Sequence, residues 1–359
     1  MTDRVNQRAS NSDFNQSSTE LYLDAYNLKP AAGGLPENTD FRNARPAEQR
    51  PAEQKPESRG PEVRLPPGES VQKAVERAPD GATIYVPEGI YRERLNITRD
   101  NITLKADGKV IFDMSGRAIA GPAINISDRK NVTIDGFEIR NVKGSDTPTA
   151  IRVDGSSNNI KILNNEIHHV ESSKNAHAIG VFGTRATPLK NITIANNKIH
   201  DLKLGQSEAV VLNGNVDGFK ILDNTIDNLD NIAIDIIGGE GIGNAGIDRA
   251  RNGVIARNNI RNVDSLFNPT YGERSAAGIY VDGGKHVVIE DNTVSNSNYG
   301  IELASERRGW NTEGITVRRN RLSGNSLAGI TLGGGSASNG GVTDSVVEDN
   351  DIRGNASSA

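Results

Sequence analysis

Asp235 and Glu302 occupy the same place in a phrase that recurs along the chain, and Tyr280 occupies that place between them. Asp235 sits inside an otherwise aliphatic run, Asn231-Ile-Ala-Ile-Asp-Ile-Ile237, where partial burial raises a carboxyl pKa and suits it to proton transfer. A pair of carboxyl groups can act as general acid and general base. Gathered with further acids, the same groups can instead cage a hard cation with oxygen ligands. Asp235, Glu240, Asp282 and Glu306 form the candidate set for Ca²⁺, with Asp248 beside them. No motif calls for an organic cofactor. Arg274, Arg307, Arg308 and Lys285 bring positive charge to the same stretch, and Tyr271, Tyr280, Tyr299 and Trp310 bring flat aromatic faces. His177 and Glu208 come two residues before an aliphatic in two earlier repeats. They either edge the same groove or point inward. His168 and His200 also hold equivalent positions, followed in their column by Asp227 and Arg261, and that column is a weaker metal candidate.

These residues share a wall only if the chain winds as a solenoid. The phrase Asn-x-Ile/Leu/Val stands at Asn165, Asn197, Asn224, Asn258, Asn292, Asn320 and Asn350, in steps of 32, 27, 34, 34, 28 and 30 residues. Self-similarity at that period is the mark of stacked repeats. Each repeat carries two strand phrases, one of the form small-Ile-x-aliphatic (Ala178-Ile-Gly-Val181, Ala233-Ile-Asp-Ile236, Gly278-Ile-Tyr-Val281, Gly300-Ile-Glu-Leu303) and one that runs into the Asn. Alternation sends the aliphatics inward and the residue between them outward. The Asn column then lies at a turn, where amides hydrogen-bond along the stack. The outward positions of the first phrase are Arg152, Gly180, Val211, Asp235, Tyr280, Glu302 and Thr331, spaced 28, 31, 24, 45, 22 and 29. The long step supplies two loops, 237–252 and 264–275, and the next repeat adds 304–314. Loops of this kind are where solenoids put binding residues. Asp235 and Glu302 would stand two coils apart, about 9–10 Å by strand spacing.

Composition narrows the classes. The 359 residues carry a net charge of -5 and only 4% aromatics, with no basic stripe, so nucleic acid is a poor partner. With no Cys there is neither a disulfide framework nor a Cys-based zinc site. No run approaches the roughly 18 apolar residues of a membrane span. No conventional signal peptide is visible at the start, which leaves localisation open between the cytoplasm, non-classical export and a sequence truncated ahead of its first residue. Residues 1–62 read as a polar, Pro-rich disordered leader, and the folded domain as 63–359. Ser70–Ala78 reads as a short amphipathic helix with Ser70 as N-cap, placed to cover the first coil's open edge. The last repeat runs to the end without an obvious cap, so its final coil is a candidate oligomer contact.

The repeat, together with SVQKAVERAPDGATIYVPEGIYRE (70–93), resembles the single-stranded right-handed parallel β-helix of the pectate-lyase-like superfamily, from about residue 63 to 359. That resemblance implies an all-β solenoid acting on, or binding, an acidic polysaccharide or other glycan. Fold alone does not choose the chemistry. The leading expectation is β-elimination from a uronate, in which a cation or an Arg neutralises the carboxylate and a base takes the C5 proton. The base is left open among Lys203, Arg274, Lys285, Arg307 and Tyr280. The first alternative is hydrolysis or epimerisation by Asp235 and Glu302. Asp235-Ile-Ile-Gly238 is faintly similar to the Asp-bearing strand of pectin methylesterases, but that family's Gln-Asp-Thr and Arg-Pro-Trp motifs are missing. The second alternative is a non-catalytic glycan-binding or attachment solenoid. His177, Glu208, Lys203, Tyr271, Trp310, Arg308 and Lys285 are the expected substrate contacts.

Overall fold

The computed structural model describes residues 60–116, 121–144, 147–244, 246–334, 336 and 338–356. The expected leader lies almost wholly outside them. Its last residue is already structured, since Glu62–Arg64 is a strand in parallel register with Thr83–Tyr85.

Each full coil contributes three parallel strands rather than two. In one coil these are His177–Gly183, Leu189–Ala195 and Lys198–Leu202. The first strands of successive coils form a nine-stranded sheet, and the second and third belong to one of twenty-one described strands. The third strand is the one the Asn phrase opens: Asn197 is followed at once by Lys198–Leu202. The sequence places the Asn at a turn after the second strand, and the residues that follow it form a third strand.

Ile179, Val181, Ile192, Ile194, Ile199 and Leu202 all point into one continuous aliphatic core. Burying each such side chain is worth about 1.5–3 kcal/mol. The corner between second and third strands has a constant construction. The residue before each ladder Asn (Asn164, Asn196, Asp223, Arg257, Asp291, Arg319, Asp349) takes a left-handed φ between 52° and 57°. Short polar side chains tolerate that conformation best, and Asn or Asp fills five of the seven places. Behind the corner, Asn197 Oδ1 accepts from Asn165 N at 3.0 Å and from Asn165 Nδ2 at 3.1 Å, while Asn197 Nδ2 donates to Ile162 O at 3.0 Å. The same pattern runs on through Asn224, Asn258, Asn292, Asn320 and Asn350.

The first coil is closed by the helix Val71–Arg77, which buries Val71, Ala74 and Val75. Ser70 caps it by accepting from Lys73 N, and the Glu93 carboxylate accepts from Val71 N at 2.8 Å. The helix also satisfies the open edge of the nine-stranded sheet. Gln72 accepts from Asn96 N at 2.8 Å and donates to Asn96 O at 3.1 Å. At the other end of the stack Leu332, Val347 and Ile352 are exposed.

Candidate functional site

The outward column of the nine-stranded sheet is in strict register. Arg152 pairs with Gly180, Gly180 with Val211, Val211 with Asp235, Asp235 with Tyr280, Tyr280 with Glu302, and Glu302 with Thr331. Asp235 and Glu302 therefore flank Tyr280 on one wall. The ring of Tyr280 is walled in by Ala277, Ala304, Ile232 and Tyr299.

Two residues further along each strand a second outward column runs through Asp154, Phe182, Asn213 and Ile237, with Asp282 beside Ala304 in later coils. Asp282 is only 4% exposed, and its Oδ1 accepts from Glu306 N at 2.7 Å. Glu240, on the loop after Ile237, accepts from Arg307 Nε at 2.9 Å and Nη2 at 2.7 Å. Carboxylate oxygens of Glu240, Asp282 and Glu306 all lie within 4.8 Å of one another. Asp235, expected as a fourth ligand, is not part of that convergent group. Asp248 is not available to it: Gly241 N, at 2.5 Å, and Gly243 N, at 2.8 Å, bond to its carboxylate and brace the loop.

His177 and Glu208 lie together, beside a cavity that Asp235, Tyr280 and Glu302 do not line. His177 Nδ1 lies 2.9 Å from the backbone carbonyl of Glu208, and its ring meets Phe182 edge-on at 5.6 Å. With Arg152, Asn213 and Glu240 they border a cavity of about 510 Å³ at one end of the carboxylate wall. The Arg152 guanidinium lies 4.5 Å over the Phe182 ring. Arg152, Phe182 and Asn213 were not singled out as site residues. Phe182 and Asn213 belong to the second outward column, which the same two-residue alternation would have exposed.

The electrostatics follow from crowding buried acids. Burial, and then the charges of Glu240, Glu306 and Asp282, push Glu208 up to about 8. Asp282 rises to about 7, first from burial and then from Glu306 and Glu240, and Glu302 to about 7, from burial and then Asp282 and Glu306. Asp235 is held well above the usual carboxylate range by burial, Glu208, Asp282 and Glu306. Among the described residues its buried Oδ1 has no hydrogen-bond partner, nor does Asn213 Oδ1. Burial also drives His177 down to about 4, so its ring is neutral at neutral pH. Tyr280 is raised above an ordinary phenol by burial and by Asp282, Asp235 and Glu302. Tyr271, on the loop between Val263 and Ala277, is raised by burial and by Glu208, Glu306 and Asp235, which places its hydroxyl in the same field.

The other expected contacts lie elsewhere. Lys285 is bound to Glu313 at 2.8 Å and, with Trp310, lines a different pocket. Lys285 opens a second strand of its coil, not a first, and Trp310 turns back against Gly239. A Cβ on Gly239, whose φ is 86°, would fall 2.4 Å from the indole, so only glycine fits there. Lys203 lines a third groove with Lys143, Glu171 and Phe267. Arg274 pairs with Asp264 at 3.4 Å. Arg308 is exposed on its loop. His168 and His200 stack at 5.0 Å, yet each ring is tied to a glutamate of the coil before, Glu138 and Glu166 respectively. They form no convergent metal group among the described residues.

A family model described as a right-handed β-helix region matches residues 122–314 and, overlapping, 240–358. The chain belongs to the right-handed β-helix family. This β-helix protein is 37% identical over 281 residues to the uncharacterized protein YwoF of Bacillus subtilis, an alignment covering 72% of this chain and 58% of that one. The chain thus spans a little over half the length of that relative. Among solved structures it is similar to an alginate lyase from a Paenibacillus strain, at 15% identity and a TM-score of 0.56, covering 79% of this chain and 93% of the other. It is also similar to a lacto-N-biosidase from Eubacterium ramulus, at 13% identity and a TM-score of 0.55, covering 78% and 64%. At these identities the likeness is one of fold.

Proposed function

We propose that this β-helix protein cleaves a polysaccharide by hydrolysis, with Asp235 as general acid and Glu302 as general base. The observation that supports it is the single column Asp235–Tyr280–Glu302, two acids in register on one sheet face on either side of a buried phenol. Their Cα atoms are about 9–10 Å apart by strand spacing, and inverting glycosidases hold their carboxyl groups about 6.5–9.5 Å apart to leave room for water. Burial sets the roles. Asp235, only 2% exposed and held well above the usual carboxylate range, is the group that carries the proton, and can give it to the glycosidic oxygen as the C–O bond breaks. Glu302, at about 7, ionises near neutral pH and can take a proton from the water that adds to the anomeric carbon. The protein's similarity in fold to a polysaccharide lyase and to a glycan hydrolase supports a glycan substrate without choosing the reaction.

β-Elimination remains the second reading, on one observation: the convergent oxygens of Glu240, Asp282 and Glu306. Hard oxygen donors at that spacing suit Ca²⁺. When bound, the ion would neutralise buried negative charge and acidify the C5 proton of a uronate. The base is the weak point of that reading. Lys203, Arg274 and Lys285 lie elsewhere, Arg307 is engaged by Glu240, and Tyr280 is held as a phenol.

A panel of neutral and acidic polysaccharides, read both for reducing ends and for near-ultraviolet absorbance, with and without a chelator, tests the two. New reducing ends without absorbance support hydrolysis. An absorbing, chelator-sensitive product replaces it with elimination. Retention of a glycan with no product over the whole panel overturns both and leaves a binding solenoid.

A further inference from the structure

Behind the loops that carry Glu240 and Arg307 lies a second pocket of about 570 Å³ with the opposite charge. Arg249, Arg251, Lys285, His286 and Trp310 border it. Three fixed positive charges face two negative partners. Lys285 Nζ is 2.8 Å and Arg249 Nη1 is 3.4 Å from the same Glu313 carboxylate, and Arg251 Nη2 is 3.3 Å from Asp217. Arg249 is the least satisfied of the three. A guanidinium offers five donors. This one makes a single long bond to Glu313, and its Nε is buried with no acceptor among the described residues. Its guanidinium carbon lies 5.1 Å from the centre of the Trp310 ring. His286 adds no further positive charge: burial and then Lys285 hold it below the usual imidazole range, so it is neutral at pH 7.

We propose that this pocket is a binding site for an oxyanion, a carboxylate or sulfate group, taken between Arg249 and Lys285 beside Trp310. An oxyanion supplies what the pocket lacks: a second negative charge for two cations that now share Glu313, and acceptors for the idle donors of Arg249. The site is distinct from the carboxylate wall and does not depend on the reaction performed there. Trp310 nevertheless packs on Gly239, next to Glu240, so an occupant would press on the back of the loop whose front carries that acid.

The chain has a single tryptophan, and it borders this pocket, so its fluorescence reports on occupancy there. Titration of the intact protein with sodium sulfate and with glucuronate at constant ionic strength is expected to shift the emission saturably, and glucose is expected to leave it unchanged. Sulfate alone producing the shift would identify a free inorganic anion as the occupant. Glucuronate binding the more tightly would identify a sugar acid. Glu313→Gln removes the competing carboxylate and should tighten binding by about five-fold, whereas Lys285→Gln should weaken it by about as much. Asp235→Asn should change neither, which separates this site from the proposed hydrolysis. The proposal falls if neither anion gives a saturable shift, if glucose gives the same one, or if Glu313→Gln weakens binding in a variant that melts as the parent does.

Discussion

The Asp282 carboxylate accepts a hydrogen bond from the backbone N–H of Glu306 at 2.7 Å. A buried acid of the wall thereby holds an acidic loop residue of the next coil against itself. Each carboxylate added to that cluster makes its neighbours harder to ionise, and Glu208, Asp235, Asp282 and Glu302 are all raised. Most of the testable behaviour of this protein follows from that crowding.

Asp235→Asn should lower turnover by about 10²–10⁴-fold, the range for loss of a general acid. The folded state should be as stable as the parent or more so at neutral pH, because the amide keeps the shape and folding no longer has to protonate the side chain. Activity assays run beside thermal melts check both halves. Parent-like rates in a parent-like fold would remove Asp235 from the chemistry.

Activity should rise as pH increases through about 7, where Glu302 loses its proton, and fall once Asp235 ionises. Glu302→Gln should abolish turnover, and azide, a nucleophile that needs no base, should restore part of it. A profile of kcat/KM against pH, with and without azide, measures this. An acidic optimum near pH 4 would contradict the assignment.

Stability should run the other way. Raised folded pKa values mean the folded state favours the protonated acids. The stabilisation is complete below the unfolded values, about 4 to 4.5, and is lost as pH climbs through the folded values of about 7 for Asp282 and Glu302 and about 8 for Glu208. Tm should therefore fall between pH 5 and pH 8. Asp282→Asn should flatten the fall. If Glu240, Asp282 and Glu306 hold a cation, millimolar Ca²⁺ should restore Tm at pH 8 in the parent but much less in Asp282→Asn. Melting curves that ignore Ca²⁺ would leave the triad as a proton-sharing cluster.

Asn258→Ala tests the ladder. The side chain accepts from Asn224 N at 3.0 Å and from Asn224 Nδ2 at 2.9 Å, and donates to Ile221 O at 2.9 Å. Its loss strands a buried N–H and a buried carbonyl, at about 1–3 kcal/mol each. Denaturant unfolding should show that deficit while activity per folded molecule is kept. A near-neutral variant would mean that the corner tolerates water in place of the amide.

The sequence alone determined the solenoid and the column. The aliphatic alternation and the Asn period suffice to stack like positions, so Asp235, Tyr280 and Glu302 could be placed on one wall before any coordinates. The enlarged coil likewise marked the loop that carries Glu240, and the long loop of the next coil carries Glu306. Within a strand, and from coil to coil, direction follows from a two-residue repeat and a fixed spacing. What only the tertiary structure decided is where the loops and turns aim their side chains. Trp310 and Lys285 proved to border a separate basic pocket, Arg274 to pair with Asp264, and Asp248 to brace its own loop. A loop has no period, so its side-chain directions come from contacts such as Glu240 with Arg307 and Trp310 with Gly239. The third strand of each coil is short and begins right at the corner Asn, so in the sequence it merges with the turn, and only the pairing of Lys198–Leu202 with the neighbouring coils sets it apart.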